Sequence, residues 1–162
     1  MNYIYIGKIV NTHGIKGELR IISDFYEKDL IFKSGFKLYI TPLYIEEEIT
    51  SYRRHKNYDQ VILKNYSNIN EVLKYVGSSV YVNRDELNLG EDEYLLQDLI
   101  GYEVYDNVKY LGKVKEITNN KNVLLKVSGK KDFFIPFIDE FIGKVDLKNR
   151  RIDTINGGEL II

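Results

Sequence analysis

The sequence predicts an all-β protein with one short helix, divided into two small units. Near the start, an apolar strand runs into a glycine-bounded turn, residues 14–17, and directly out into a second strand. Short segments rich in Val, Ile and Tyr recur along the whole chain between turns that contain Gly, Ser, Asn or Pro, which is typical of strands. A polar stretch, residues 83–92, interrupts this rhythm midway. Together these observations favour two β units joined by a connector.

The first half of the chain is predicted to form a six-stranded barrel. Gly14 and Gly17 allow the positive φ angles of a tight turn, so a β-hairpin opens the protein. The helix begins at Asn68 as N-cap, has Glu71 as the partner of a capping box and ends at Gly77. The apolar face of this helix consists of Ile69, Val72, Leu73 and Val76, and we expect it to plug one barrel end. A further helical turn is predicted over 29–32. The strands are predicted at 3–10, 18–22, 37–40, 49–54, 60–63 and 80–82.

The second half is predicted to form another all-β unit. The polar residues from Asn83 to Asp92 have the composition of an interdomain connector. We therefore expect an N-terminal domain over 1–83, a connector over 84–92 and a C-terminal domain over 93–162. The strands of this domain are predicted at 102–105, 111–117, 123–127, 132–135, 144–146 and 151–155.

Composition excludes several classes of protein. The chain has 162 residues and no cysteine, which excludes disulfides, thiolate catalysis and cysteine-ligated metal sites and fits a reducing cytoplasm. It has no apolar segment of membrane length, and Met1 leads directly into a strand, so neither secretion nor membrane insertion is expected. A net charge of −1 argues against a protein whose main task is to bind RNA. The 14 tyrosines suit a protein interface, or reflect a biased genome.

No catalytic, cofactor or metal site is predicted. The two histidines, His13 and His55, are far apart in sequence and no catalytic triad is evident. For His13 a packing role in the turn is favoured over contact with a partner. The glycine turn leads into a strand rather than a helix, which excludes a nucleotide-binding loop. The acidic run 46–48 alternates between two strand faces, and a solvated strand edge is a better interpretation than a cation site.

Basic and aromatic runs are the candidate interaction sites. Arg53, Arg54 and Lys56 form the densest basic run and are a possible contact with RNA, although a solvated hairpin is the favoured alternative. Lys130-Lys131 and Arg150-Arg151 are interpreted in the same way. In the apolar run 133–138, one face should fill the core, while the other meets a domain, a loop or a partner. Phe134, Phe137 and Phe141 are the residues that would line such a surface, with wholly internal packing as the alternative.

Four sequence blocks together resemble the RimM family of bacterial ribosome maturation factors. They are the N-terminal stretch 6–20, the segment 93–101, Leu111-Gly112-Lys113-Val114 and Ile135-Pro136-Phe137. The resemblance implies an N-terminal six-stranded split barrel and a C-terminal PRC-barrel. The family signature includes His13 and the glycine that follows it, which gives this histidine some weight as a partner contact.

The resemblance also implies a function. A RimM-like protein would be a cytoplasmic, monomeric, non-enzymatic factor that binds assembling 30S subunits and assists head assembly and 16S rRNA processing. Its direct partner would be the nineteenth small-subunit ribosomal protein, met through Tyr94, Leu95 and Leu96. The family usually has two adjacent aromatics and a tryptophan here, whereas this chain keeps Tyr94 only. The alternatives are a stand-alone RNA-binding module and a flavin-binding split-barrel oxidoreductase.

Overall fold

The computed structural model describes residues 1–161, which form two compact units, residues 1–89 and 90–161. Each unit contains six strands, as the sequence predicts, so the all-β fold class is confirmed. The strands of the first unit are β1 Tyr3–His13, β2 Glu18–Ile22, β3 Lys37–Ile40, β4 Ile45–His55, β5 Tyr58–Leu63 and β6 Ser79–Asn83. Those of the second unit are β7 Glu103–Asp106, β8 Lys109–Asn119, β9 Val123–Ser128, β10 Phe133–Pro136, β11 Ile142–Asp146 and β12 Arg151–Thr154.

The first unit is a closed barrel of antiparallel strands in the order β1-β2-β5-β4-β3-β6, with β6 pairing back to β1. Alternation along each strand sends one set of side chains inward, because successive residues of a strand point to opposite faces. The inward set is almost entirely aliphatic and inaccessible to solvent. It includes Ile6, Ile9, Leu19, Ile21, Leu38, Ile40, Ile49, Val61, Leu63, Val80 and Val82.

Two short helices accompany the barrel, α1 Lys28–Ile31 and α2 Ile69–Val72. Asn68 caps α2, and its side chain accepts from the backbone N–H of Glu71 while the Glu71 carboxylate accepts from the Asn68 backbone, so the predicted capping box is confirmed. The predicted apolar face is wrong in part. After one turn the helix tightens into a 3-10 turn, Leu73–Tyr75, which buries Tyr75 beside Val72 and leaves Leu73 and Val76 exposed. The change of period from 3.6 to 3 residues shifts the buried positions.

The second unit is a single six-stranded ladder in the order β10-β9-β8-β7-β12-β11. All neighbours are antiparallel except β12 and β7, which run parallel. β10 and β11 are its terminal strands. Pro136 is the last residue of β10, a position where its missing backbone N–H is tolerated. The core is formed by Leu96, Leu99, Tyr102, Val104, Leu111, Val114, Leu125, Val127, Phe133, Ile135 and Ile152.

Candidate interaction surfaces

The glycine-bounded hairpin loop between β1 and β2 is held against α2. The backbone N–H of Ile69 donates to the Ile15 carbonyl at 2.9 Å. Gly17 has φ +86°, and a β-carbon there would lie 2.8 Å from the Asn68 carbonyl oxygen. Only glycine combines this backbone angle with so close an approach. The most distinctive motif of the sequence therefore has a structural task, which is to seat the loop on the helix.

The structure brings the two histidines together at the surface of the barrel. Their ring centroids are 6.2 Å apart, although the residues are distant in sequence. An N–H of Arg20 donates to Nδ1 of His13 at 2.6 Å, because a guanidinium has no acceptor. Partial burial lowers the pKa of His55, and the neighbouring cations Arg53 and Lys56 lower it further. His13 itself is exposed, so it remains available to a partner as well as to Arg20.

The basic run on β4 is largely occupied by carboxylates of the same unit. Arg53 makes two hydrogen bonds to Glu18, at 2.9 and 2.8 Å, and this pairing lowers the pKa of Glu18 despite its partial burial. Arg54 pairs with the fully buried Asp59 at 3.0 Å. Lys56 lies exposed in the turn between β4 and β5 with φ +54°. Two of the three residues predicted to contact RNA thus already have intramolecular partners.

The acidic run 46–48 lies at the start of β4, where that strand pairs with β3 only, because its pairing with β5 begins at Ile49. This agrees with the predicted strand edge, but Glu47 and Glu48 are half-buried rather than fully solvated. Glu46 pairs with Lys37 and Glu48 with Lys64, while Glu47 accepts hydrogen bonds from the hydroxyls of Tyr66 and Tyr75. Within residues 1–161, no group of three or more His, Asp or Glu side chains is arranged to hold a metal ion.

Tyr94, Leu95 and Leu96 lie at the entry to the second unit, before a 3-10 turn, Leu96–Leu99. The Asp98 carboxylate accepts from the backbone N–H of Leu95 at 2.9 Å and fixes the start of this turn. Leu95 is fully buried, and Leu96 belongs to the core of the unit. Neither leucine lies on an open surface, which corrects the expectation that they face a partner. Tyr94 packs against the same core but is only half-buried.

Strand β10 separates its apolar residues by face. Phe133 and Ile135 are buried, whereas Phe134 between them is 47 % exposed. Phe137 and Phe141 pack against the core and are half-buried. Wholly internal packing therefore does not describe this run. Because β10 is a terminal strand, Phe134 gives an aromatic side chain to an outer face at the edge of the ladder.

The outside of the barrel carries a tyrosine cluster that was not predicted from the sequence. Tyr3 and Tyr44 stack with ring centroids 4.6 Å apart, and Tyr44 and Tyr5 contact Tyr81 at 5.1 and 5.6 Å. Burial raises the pKa of Tyr81, as does the neighbouring Tyr44. Alternation could have revealed it, since Tyr3 and Tyr5 alternate with the inward Ile4 and Ile6. The cluster adds a second aromatic surface to the molecule.

No helix in the described part of the chain is long and apolar enough to cross a membrane. The fold defines the class as a two-domain β protein, a closed barrel of six strands followed by a six-stranded ladder.

The sequence profile of the RimM N-terminal domain matches residues 4–87, and that of the RimM PRC barrel domain matches residues 96–160. Relatives include the ribosome maturation factors RimM of Streptococcus mutans and Streptococcus suis. They are 40 % and 37 % identical to this chain, over 95 % of it and 94 % of their own lengths. A RimM crystal structure from Pseudomonas aeruginosa covers 98 % of this chain and 99 % of its own, with 18 % identity and a TM-score of 0.44. The chain belongs to the RimM family of ribosome maturation factors, so the predicted resemblance is confirmed.

Proposed function

We propose that this protein binds assembling 30S subunits in the cytoplasm and assists head assembly and 16S rRNA processing. The observation that carries the proposal is the match of both RimM domains, in order, to nearly the whole chain. The relatives that cover 95 % of it are named ribosome maturation factors. Binding energy alone suffices for such a task, because a ligand that prefers one conformation of a particle shifts the population toward it. No covalent step is needed.

We further propose that the direct partner is the nineteenth small-subunit ribosomal protein, met by the second unit. Phe134 and the half-buried Tyr94 and Phe137 offer the aromatic area that supplies much of the free energy of protein interfaces. Leu96 belongs to the core against which Tyr94 and Phe137 pack. Because Phe134 is nearly half exposed, its side chain can be removed without opening a core cavity.

Replacing Phe134 by alanine should weaken capture of the purified ribosomal protein about 30-fold, the loss that corresponds to an interface hot spot of about 2 kcal/mol. Tyr94→Ala should act in the same direction, while Tyr94→Phe keeps the ring and most of the affinity. Titration calorimetry or surface plasmon resonance would measure the dissociation constants.

Tyr110→Ala is the matched control, since Tyr110 is an aromatic residue of the same unit with 49 % exposure. It should bind as the unmodified protein does. If Phe134→Ala and Tyr94→Ala both retain full affinity, the ribosomal protein contacts another surface and the assignment is wrong.

A further inference from the structure

Lysines are concentrated in one part of the second unit. The segment 107–131 holds seven of the 23 basic residues of the chain and only one of its 24 acidic residues, Glu116. The near-neutral charge of the whole protein conceals this local excess. The lysines are Lys109, Lys113, Lys115, Lys121, Lys126, Lys130 and Lys131.

Five of these lysines lie on the outer face of β8 and β9 or in the adjoining turn. Lys113 is paired in register with Ser128, and Lys126, two residues before Ser128, points to the same side of the sheet. A bulge after Val114 leaves both Lys115 and Glu116 exposed while Val114 is buried. The turn from β9 to β10 adds two exposed lysines. We call this surface the lysine face: Lys113, Lys115, Lys126, Lys130 and Lys131.

Three of the five lysines of the lysine face, Lys113, Lys126 and Lys130, form no ion pair within residues 1–161. The exposed Glu116 is paired in register with Lys126 and offsets part of the positive charge, although no ion pair joins the two side chains. Lys115 and Asp132 lie 3.7 Å apart with both side chains about half exposed, and such surface pairs contribute little. The arginines of β4, by contrast, are held by Glu18 and Asp59. The lysine face is therefore better suited to a polyanion than the basic run that the sequence analysis singled out.

We propose that the lysine face binds the phosphate backbone of 16S rRNA in the assembling particle, an inference that rests on the proposed function. Lysines spread over a sheet face suit repeated phosphates, which they contact as point charges without reading sequence. Protein interfaces are depleted in lysine, so an acidic protein partner fits this surface less well. Lys126 is paired in register with Phe134, so the RNA contact adjoins the proposed protein contact. The second unit would then bind the particle at a place where the ribosomal protein and 16S rRNA are adjacent.

The test is the affinity of the full chain for purified 16S rRNA, measured by fluorescence anisotropy between about 50 and 200 mM salt, the range over which phosphate contacts weaken most visibly. The triple variant K113Q/K126Q/K130Q should bind at least about tenfold more weakly. The slope of log affinity against log salt should also become shallower by about 2, since each lost contact to single-stranded RNA contributes about 0.7. K113R/K126R/K130R keeps the charges and should behave as the unmodified protein does.

The matched control is K8Q/K33Q/K64Q, which removes three charges from exposed lysines of the first unit and should change affinity less than about twofold. An unchanged salt slope in K113Q/K126Q/K130Q overturns the proposal. An equal loss of rRNA affinity in the arginine and glutamine variants also overturns it. Absence of measurable rRNA binding at the lowest salt also overturns it. If the glutamine variant binds rRNA normally but no longer captures the ribosomal protein, the lysine face contacts that protein rather than RNA, and the proposal is wrong. If the lysine variants still capture the ribosomal protein through Phe134, the proposed function is unaffected, even where the rRNA proposal fails.

Discussion

Replacing Asp59 by alanine should destabilise the first unit by about 3 kcal/mol, a large part of the 5–15 kcal/mol that holds a small domain together. The Asp59 carboxylate is fully buried and accepts a hydrogen bond from the Tyr52 hydroxyl at 2.7 Å. Arg54 and Lys28 pair with its other oxygen. Lys28 also donates to the Ser23 carbonyl at 2.8 Å, so the cluster ties the connection between β2 and β3 to the barrel wall.

The magnitude follows from what alanine would leave behind. Removing one partner of a buried ion pair costs about 3–5 kcal/mol when the remaining charge stays buried. Lys28 and Arg54 keep 29 % and 48 % of their side chains exposed, so water can solvate part of the freed charge. The lower end of the range therefore applies. The Tyr52 hydroxyl also loses its acceptor in a partly buried position.

Hydrogen exchange of the β4 and β5 amides would measure this loss for the first unit alone, which matters because two units need not unfold together. Asp59→Asn keeps the shape of the side chain and an acceptor for Tyr52. The stability of its first unit should therefore lie between those of Asp59→Ala and the unmodified protein. Arg54→Ala, at an exposed position, should cost less than about 1 kcal/mol. Exchange rates in Asp59→Ala equal to those of the unmodified protein would show that the buried cluster is dispensable.

Replacing Gly112 by alanine should destabilise the second unit by about 4 kcal/mol. Gly112 lies on β8 with φ +141°, and a β-carbon would stand 2.3 Å from the Ser128 carbonyl oxygen on β9. The opposing Gly129 is equally confined, since its β-carbon would lie 2.1 Å from the Leu111 carbonyl oxygen. Backbone strain of about 1–3 kcal/mol and overpacking of about 1–3 kcal/mol would act together.

Urea unfolding, followed by the exchange of the β8 and β9 amides, would measure the effect. Gly90→Ala provides the control in the same unit, because the nearest atom to its β-carbon is the end of the flexible Glu93 side chain. It should change stability by less than about 1 kcal/mol. Equal stability of Gly112→Ala and the unmodified protein would mean that β8 and β9 can separate freely at this point.

Local patterns were sufficient to predict most of the fold. Alternating Ile, Val and Tyr residues and the turns between them located all twelve strands, and Asn68 with Glu71 located the start of α2. The predictions that failed concern features that depend on contacts between residues distant in sequence. Glu47 and Glu48 are half-buried because their side chains meet Tyr66, Tyr75 and Lys64, which the acidic run does not encode locally. The 3-10 turn buries Tyr75, whose hydroxyl donates to Glu47 on β4, and this contact is not encoded in the sequence of the turn.

The candidate surfaces were less predictable than the fold. Asp59 shares its strand face with Val61 and Leu63, so strict alternation would have placed it inside, but its partners come from residues 28, 52 and 54. Leu95 and Leu96 have the apolar character of an interface and the burial of a core, and composition cannot separate the two. The lysine face depends on a strand bulge and on register across β8, β9 and β10. Spacing along one strand does not reveal such a surface.

Binding of the unmodified protein to immature small-subunit particles, compared with finished 30S subunits at equal concentration and salt, tests the central claim most directly. Both particles can be isolated from growing bacteria and their affinities compared in one sedimentation experiment. We expect at least about a tenfold preference for the immature particle, a difference of about 1.4 kcal/mol in binding free energy. Equal affinity for both particles would contradict the account.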